Sequence, residues 1–118
     1  MATARVLWVF EHAPSAVELQ VLARKYGQDV VINHVPPSTT MATALVDQYR
    51  GGDYCDIAAE RSLILLVVLY LHGIKPLLID SIVEDDPTRV DFRDERDQGR
   101  RFMAMRRLDA IAVATVSY

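Results

Sequence analysis

The chain has 118 residues, enough for one domain with a buried core and too few for two. Half of it is apolar (51%) and a quarter charged (25%), the balance of a globular protein and not of a disordered or fibrous one. A formal net charge of −3 excludes the broad basic face that sequence-independent duplex binding needs, but leaves a small nucleotide ligand open.

Residues 6–10 (VLWVF) form a continuous apolar run, the mark of a strand covered on both faces. Ser15 and Glu18 then make an S-x-x-E capping box, so a helix is predicted from Ser15. Ala16, Leu19, Leu22, Ala23 and Tyr26 recur at helical spacing, and Gly27 supplies the stop. A second apolar, β-branched run spans 30–35 and is broken by Pro36-Pro37. Thr39 or Thr40 is the expected cap of a short helix running to Arg50, with Gly51-Gly52 after it. Residues 55–59 read as a third strand.

The stretch SLILLVVLYLHG fits either period, but its length, Ser62 and Gly73 favour a buried helix. Residues 76–83 form a fourth strand, with Pro76 at its first position, where a missing donor is tolerated. The resulting βαβαβαβ order implies a mainly parallel sheet covered on both faces by right-handed crossovers. Residues 84–99 are acidic and poor in apolar side chains, a solvated excursion with room for a short strand at 89–92. From Arg100 the β character returns, and two strands meeting near Leu108-Asp109 are expected to close an antiparallel hairpin at the sheet edge or against a second subunit. The expected class is α/β, a single Rossmann-like domain over 1–118.

The single cysteine, Cys55, excludes an internal disulfide and suits a reducing cytosol. No signal-sequence pattern opens the chain, and the longest apolar run is about half of a membrane span. A cytoplasmic protein with no membrane partner is expected.

In an open parallel sheet, ligands bind beyond the carboxyl ends of the strands, where loops and helix N-termini supply donors. Glu11 and His12 follow strand one, and Asn33 and His34 close strand two. Ser38, Thr39 and Thr40 come next, Glu60, Arg61 and Ser62 follow strand three, and Asp80 and Ser81 lie near the end of strand four. This rim suits a ligand carrying phosphates and hydroxyls. His12 has two readings of equal weight, an acid–base or phosphate-contact group and a turn residue. Ser15 reads as a cap, with no G-x-S-x-G elbow around it. His34 reads as a satisfied strand histidine, and His72 as a cation complementing a helix end. Arg61 is the strongest anion candidate, against a surface salt bridge with Glu60 or Asp56. Arg100, Arg101, Arg106 and Arg107 form the one basic cluster, but adjacent strand residues point to opposite faces, which splits each pair.

There is no G-x-G-x-x-G and no G-x-x-x-x-G-K-[ST]. His12, His34, Cys55 and His72 lack zinc-ligand spacing, so neither metal nor cofactor is expected.

The pattern V-L-W-V-F-x-H-x-x-S-x-x-E, residues 6–18, resembles the opening of small CRISPR-associated ring-nuclease-like proteins of CARF/Rossmann-like fold and their phage-borne relatives. GIKPLLIDSIV and RRFMAMRRLDAIAVATV are similar to that family's fourth strand and closing hairpin. Glu11 departs from the small or basic residue common there. The resemblance implies a homodimer that binds a cyclic oligoadenylate and degrades it without a metal, a ribose 2′-hydroxyl attacking the adjacent phosphorus. His12 matches the family histidine as the catalytic residue, and Ser15 its hydroxyl. Glu11, Asn33, Thr39, Arg61 and Ser62 are expected as ligand-binding residues from their place on the rim, and Ser15 is expected among them from its match to the family hydroxyl. The alternatives are a sensor or sponge that holds the ligand without turnover, and a structural or regulatory protein-interaction domain.

Overall fold

A computed structural model describes residues 3–111. The elements run β1 (Arg5–Val9), α1 (Ala16–Tyr26), β2 (Val31–His34), α2 (Ala42–Gly51), β3 (Asp56–Ala59), α3 (Leu63–Leu71), β4 (Leu77–Val83), β5 (Phe92–Arg93) and β6 (Gly99–Arg107), with 3-10 turns at Pro37–Thr39 and Pro87–Arg89. The six strands form one mixed sheet in the order β2-β1-β3-β4-β6-β5. The first four in that order are parallel, and β6 pairs antiparallel with both β4 and β5.

After Arg5, β1 is apolar and buried because helices cover both of its faces. Leu7 and Val9 enter one cluster with Leu45 and Val46 of α2 and Leu65 and Leu69 of α3. Val6 and Trp8, with Phe10 just beyond the strand, enter the other with Leu22 of α1. The alternation of strand side chains thus divides one five-residue segment between two cores. The chain leaves β1 towards β2 on one side, while β3 pairs along the other, so the switch point of the sheet lies between β1 and β3.

α1 begins where its capping box requires, with Ser15 as N-cap and both reciprocal bonds present. α2 begins later than a threonine cap would place it. Met41 occupies its N-cap position, without a side-chain bond. Residues 37–39 are taken up by a 3-10 turn, and the Thr39 hydroxyl donates to the Pro36 carbonyl (2.9 Å), so it serves that turn and not the helix. Ser62 is the N-cap of α3 by position, again without a side-chain cap bond.

The tail strand is β6, in register with β4 from Leu77↔Arg107 to Val83↔Arg100. A bulge at Met103, between the pairs Asp80↔Ala104 and Ser81↔Phe102, shifts the alternation by one. Met105 and Phe102, three apart, therefore both pack on the α1 layer. The return strand expected after Leu108-Asp109 lies outside the described residues. The antiparallel hairpin that is described joins β5 to β6, and the short strand expected at 89–92 falls at Phe92–Arg93. Pro87 and the Asp86 carboxylate, which accepts from Thr88 N–H, commit 87–89 to a turn instead.

At the amino end of the parallel strands, Arg107 of β6 reaches Asp56 of β3 through two bonds of 2.6 Å, and the Tyr26 hydroxyl donates to the same carboxylate. Burial pushes the Asp56 carboxyl up, but Arg107, Tyr26 and the Ile57 N–H outweigh it and hold the group below its ordinary value. Burial, and then the Asp56 carboxylate, push the Tyr26 hydroxyl up. Among the described residues no helix is long and apolar enough to cross a membrane.

Candidate functional site

Beyond the carboxyl ends of β1 and β3 lies a crevice made of adjoining depressions. One, of about 250 Å³, is lined by Phe10, Glu11, His12, Glu60, Arg61, Ser81 and the β5–β6 hairpin. Its neighbour, of about 360 Å³, shares Glu11 and Glu60 and adds Ser38, Thr40, Ser62 and Ile64. Both sit at the switch point, where open sheets of this kind bind ligands.

β1 delivers His12 to the rim and fixes it there. Trp8 is fully buried and donates its indole N–H to the His12 carbonyl at 2.9 Å. The imidazole Nε2 lies 3.1 and 3.3 Å from the two carboxylate oxygens of Glu18, which is itself fully buried. A carboxylate accepts, so this contact assigns the proton to Nε2 and turns Nδ1 to the remaining side of the ring. The same Glu18 accepts from the Ser15 N–H (2.9 Å) and hydroxyl (2.8 Å). One capping box therefore starts a helix and orients a histidine. Across the ring, Phe92 of β5 stacks on His12 at 3.9 Å and 6°, which fixes the plane of the imidazole.

Glu11 faces the other way. Its carboxylate accepts from the Ser38 N–H (2.8 Å) and hydroxyl (3.0 Å), tying the turn after β2 to the end of β1. Arg61 pairs with Asp80 of β4 and not with Glu60 or Asp56. Asp80 also forms an ion pair with Arg106 at 2.5 Å, so one carboxylate serves two guanidinium groups, and Glu11, Glu60, Asp94 and Glu95 line the same depression as Arg61. The Arg61 side chain is 54% exposed, open to an incoming anion. Burial first, then the charges of Glu11 and Glu95, push the Glu60 carboxyl up, while nearby His12 acts in the opposite direction. Arg100 donates to the Ser81 hydroxyl (3.1 Å) and carbonyl (3.0 Å), fastening the hairpin that carries Phe92 to β4.

The crevice thus gathers Glu11, His12, Arg61 and Ser62 of the residues expected there. Ser15 stands behind His12 through Glu18. Asn33 and Thr39 do not line it. Asn33 is in register with Leu7 and so faces the α2–α3 layer, where its amide donates to the Tyr54 hydroxyl at 2.7 Å. Thr39 is turned back onto its own 3-10 turn. His34 is satisfied by the Phe10 carbonyl at 2.6 Å, and His72 by the Val68 carbonyl at 2.8 Å. The four arginines separate as alternation requires. Arg107 and Arg100 bond to Asp56 and Ser81, on one face, while Arg106 and Arg101 meet Asp80 and Glu84 on the other. Among the described residues no three His, Cys, Asp or Glu side chains converge as metal ligands do.

Sequence reasoning missed Glu18 as an orienting group, and it missed Phe92, Arg100 and the raised Glu60. A lone aromatic in an acidic excursion, together with an arginine at the start of the next strand, was the one available signal for the hairpin's contribution. No family model, curated protein or solved structure matches the chain.

Proposed function

We propose that the crevice binds a cyclic oligoadenylate in a cytoplasmic homodimer of this Rossmann-like domain, and that His12 takes part in its cleavage. The observation that carries the reading is the His12–Glu18 contact. A buried carboxylate that fixes one ring nitrogen leaves the other placed to move a proton at the mouth of a crevice. Arg61 supports it by supplying charge for a phosphate, and the order β2-β1-β3-β4, with helices on both faces, supports the Rossmann-like reading.

In this mechanism the ribose 2′-hydroxyl gives its proton to Nδ1 of His12 and its oxygen attacks the adjacent phosphorus. The 5′-oxygen leaves with a proton taken from solvent. The products are a 2′,3′-cyclic phosphate and a 5′-hydroxyl. Phe92 and Glu18 hold the imidazole in place, and Arg61 neutralises charge on the phosphoryl oxygens. A second reading, a binding module without turnover, is favoured by the confinement of the His12 side chain, 15% exposed between Glu18 and Phe92.

The test is incubation with cyclic tri-, tetra- and hexa-adenylate and separation of the products. Loss of one ring with a 2′,3′-cyclic phosphate product is expected. His12→Ala is expected to slow that reaction by about 10²-fold or more, with a much smaller loss of binding. Binding without cleavage selects the second reading, and neither binding nor cleavage refutes both.

A further inference from the structure

Nine successive residues of α3, LILLVVLYL, carry no charge and no acidic, basic or amide side chain. A helix apolar on every side is normally enclosed. Here only one side is. Leu65 and Leu69 are buried in the core beneath, and Leu66 and Val68 pack at its edge. Leu63, Ile64 and Leu71 are 72%, 75% and 76% exposed; Leu63, the half-buried Val67 and Leu71 follow the i, i+4, i+8 spacing of a single stripe, and Ile64 borders it three residues before Val67. Met41, next to the Ala42 that lines the same depression as Ile64, is another 76% exposed. Single exposed apolar side chains are ordinary, but a contiguous stripe along a whole helix marks an interaction surface.

The charges around the stripe select its occupant. The amino end of α3 is flanked by Glu60, beside Glu11 and Glu95, with Arg61 already paired to Asp80. The carboxyl end is flanked by Arg50, whose guanidinium donates to the His72 carbonyl, and by exposed Lys75, which lies 4.0 Å from the fully exposed Asp109 carboxylate. An acidic end and a basic end complement each other when two copies of the helix lie antiparallel, an arrangement that also opposes the helix dipoles favourably. The net charge of −3 works against the alternative of an anionic lipid surface.

We infer that α3 is the dimer interface: two copies of the chain pair their α3 helices antiparallel about a two-fold axis near Val67. Leu63 then meets Leu71 of the second copy, and Val67 meets its own counterpart. Because α3 starts at the crevice and the two helices run antiparallel, the two crevices lie at opposite ends of the helix pair. The inference supplies the partner for the function proposed above, and its test needs no ligand.

Light scattering of the full chain should give twice the 13.3 kDa mass of one copy. The double variant Ile64→Glu/Leu71→Glu alters only exposed positions, so its circular dichroism should match wild type while dimerisation weakens by about 100-fold or more. In a Cys55→Ser background, Val67→Cys should form an intermolecular disulfide on mild oxidation. A wild-type monomer overturns the inference, and flotation of that monomer with phosphatidylcholine vesicles would assign the stripe to lipid. A dimer unaffected by the double variant, or one in which Val67→Cys fails to cross-link, overturns it as well. A dimer that binds no cyclic oligoadenylate leaves α3 as the interface and refutes the ligand reading alone, whereas a monomer that cleaves the ring does the reverse.

Discussion

Replacing Arg107 by Ala tests how the late strand β6 is joined to β3 in the middle of the sheet. Asp56 is 4% exposed and carries two Arg107 bonds, the Tyr26 hydroxyl and its own neighbour's N–H. Removing one member of a fully buried ion pair costs about 3–5 kcal/mol. Arg107 is itself 42% exposed, and Tyr26 and Ile57 still hold the carboxylate, so the cost here is reduced to about 2–3 kcal/mol. For a chain of this size that lowers Tm by roughly 8–20 °C. The pH dependence has a definite sign. In the wild type the folded Asp56 pKa lies below its ordinary value of 3.8, so its stabilisation is complete above that value and is lost as pH falls through the folded pKa. In Arg107→Ala burial dominates and the folded pKa rises, so the variant gains relative stability on acidification. The gap between the two proteins should be constant from pH 7 down to about 5 and should close below about 4. Urea unfolding followed by circular dichroism at pH 7, 5 and 3.5 reads it directly. A difference under about 0.5 kcal/mol at pH 7, or one that stays fixed at pH 3.5, refutes the reasoning.

Arg61→Ala should weaken binding of the proposed cyclic oligoadenylate by ~1.5 kcal/mol, the low end for a charge-assisted bond because Asp80 competes for the guanidinium, and titration calorimetry measures it. Asp80→Asn should strengthen binding in the same titration. Ser15→Ala should cost ~1 kcal/mol of stability as a lost N-cap, while Glu18→Gln should cost more and also slow turnover, since it removes the group that orients His12; chemical denaturation and the cleavage assay separate the two. Gly99→Ala should destabilise by about 1–3 kcal/mol, because a Cβ there would lie 2.6 Å from Val90 Cγ2 and 2.8 Å from the Glu84 carbonyl oxygen, and thermal unfolding checks it.

The sequence was most legible where one local rule acts alone. A strand apolar on both faces, a capping box at Ser15 and Glu18, and a left-handed glycine at Gly27 (φ 106°) all lie where their chemistry requires. The start of α2 was misread because Thr39 and Thr40 satisfy the capping rule equally well, and only the competing turn at Pro37 decides against them. The side-chain face of Asn33 was not legible, since it depends on register with β1 and on Tyr54, 21 residues on. The hairpin's share of the crevice was hidden for a stronger reason. Phe92 and Arg100 meet His12 and Ser81 through strand pairings that no local pattern encodes. Glu18 was visible, but its bond to His12 was masked by a sufficient local explanation for its presence.

The contact between Asp56 and Arg107 also has a bearing on the birth of the protein at the ribosome. Asp56 opens β3 at the middle of the sheet, and its cationic partner is 51 residues later in the chain. Until β6 has been synthesised, a nascent chain that packed β1, α1 and β3 together would enclose a carboxylate with no counter-charge. Closing the early half is therefore unfavourable until the late half arrives, and non-local closure of this kind is slow. The fold should form in one late step as β6 emerges. Nascent chains ending before residue 107 should remain open to protease, and those extending beyond it should become resistant together.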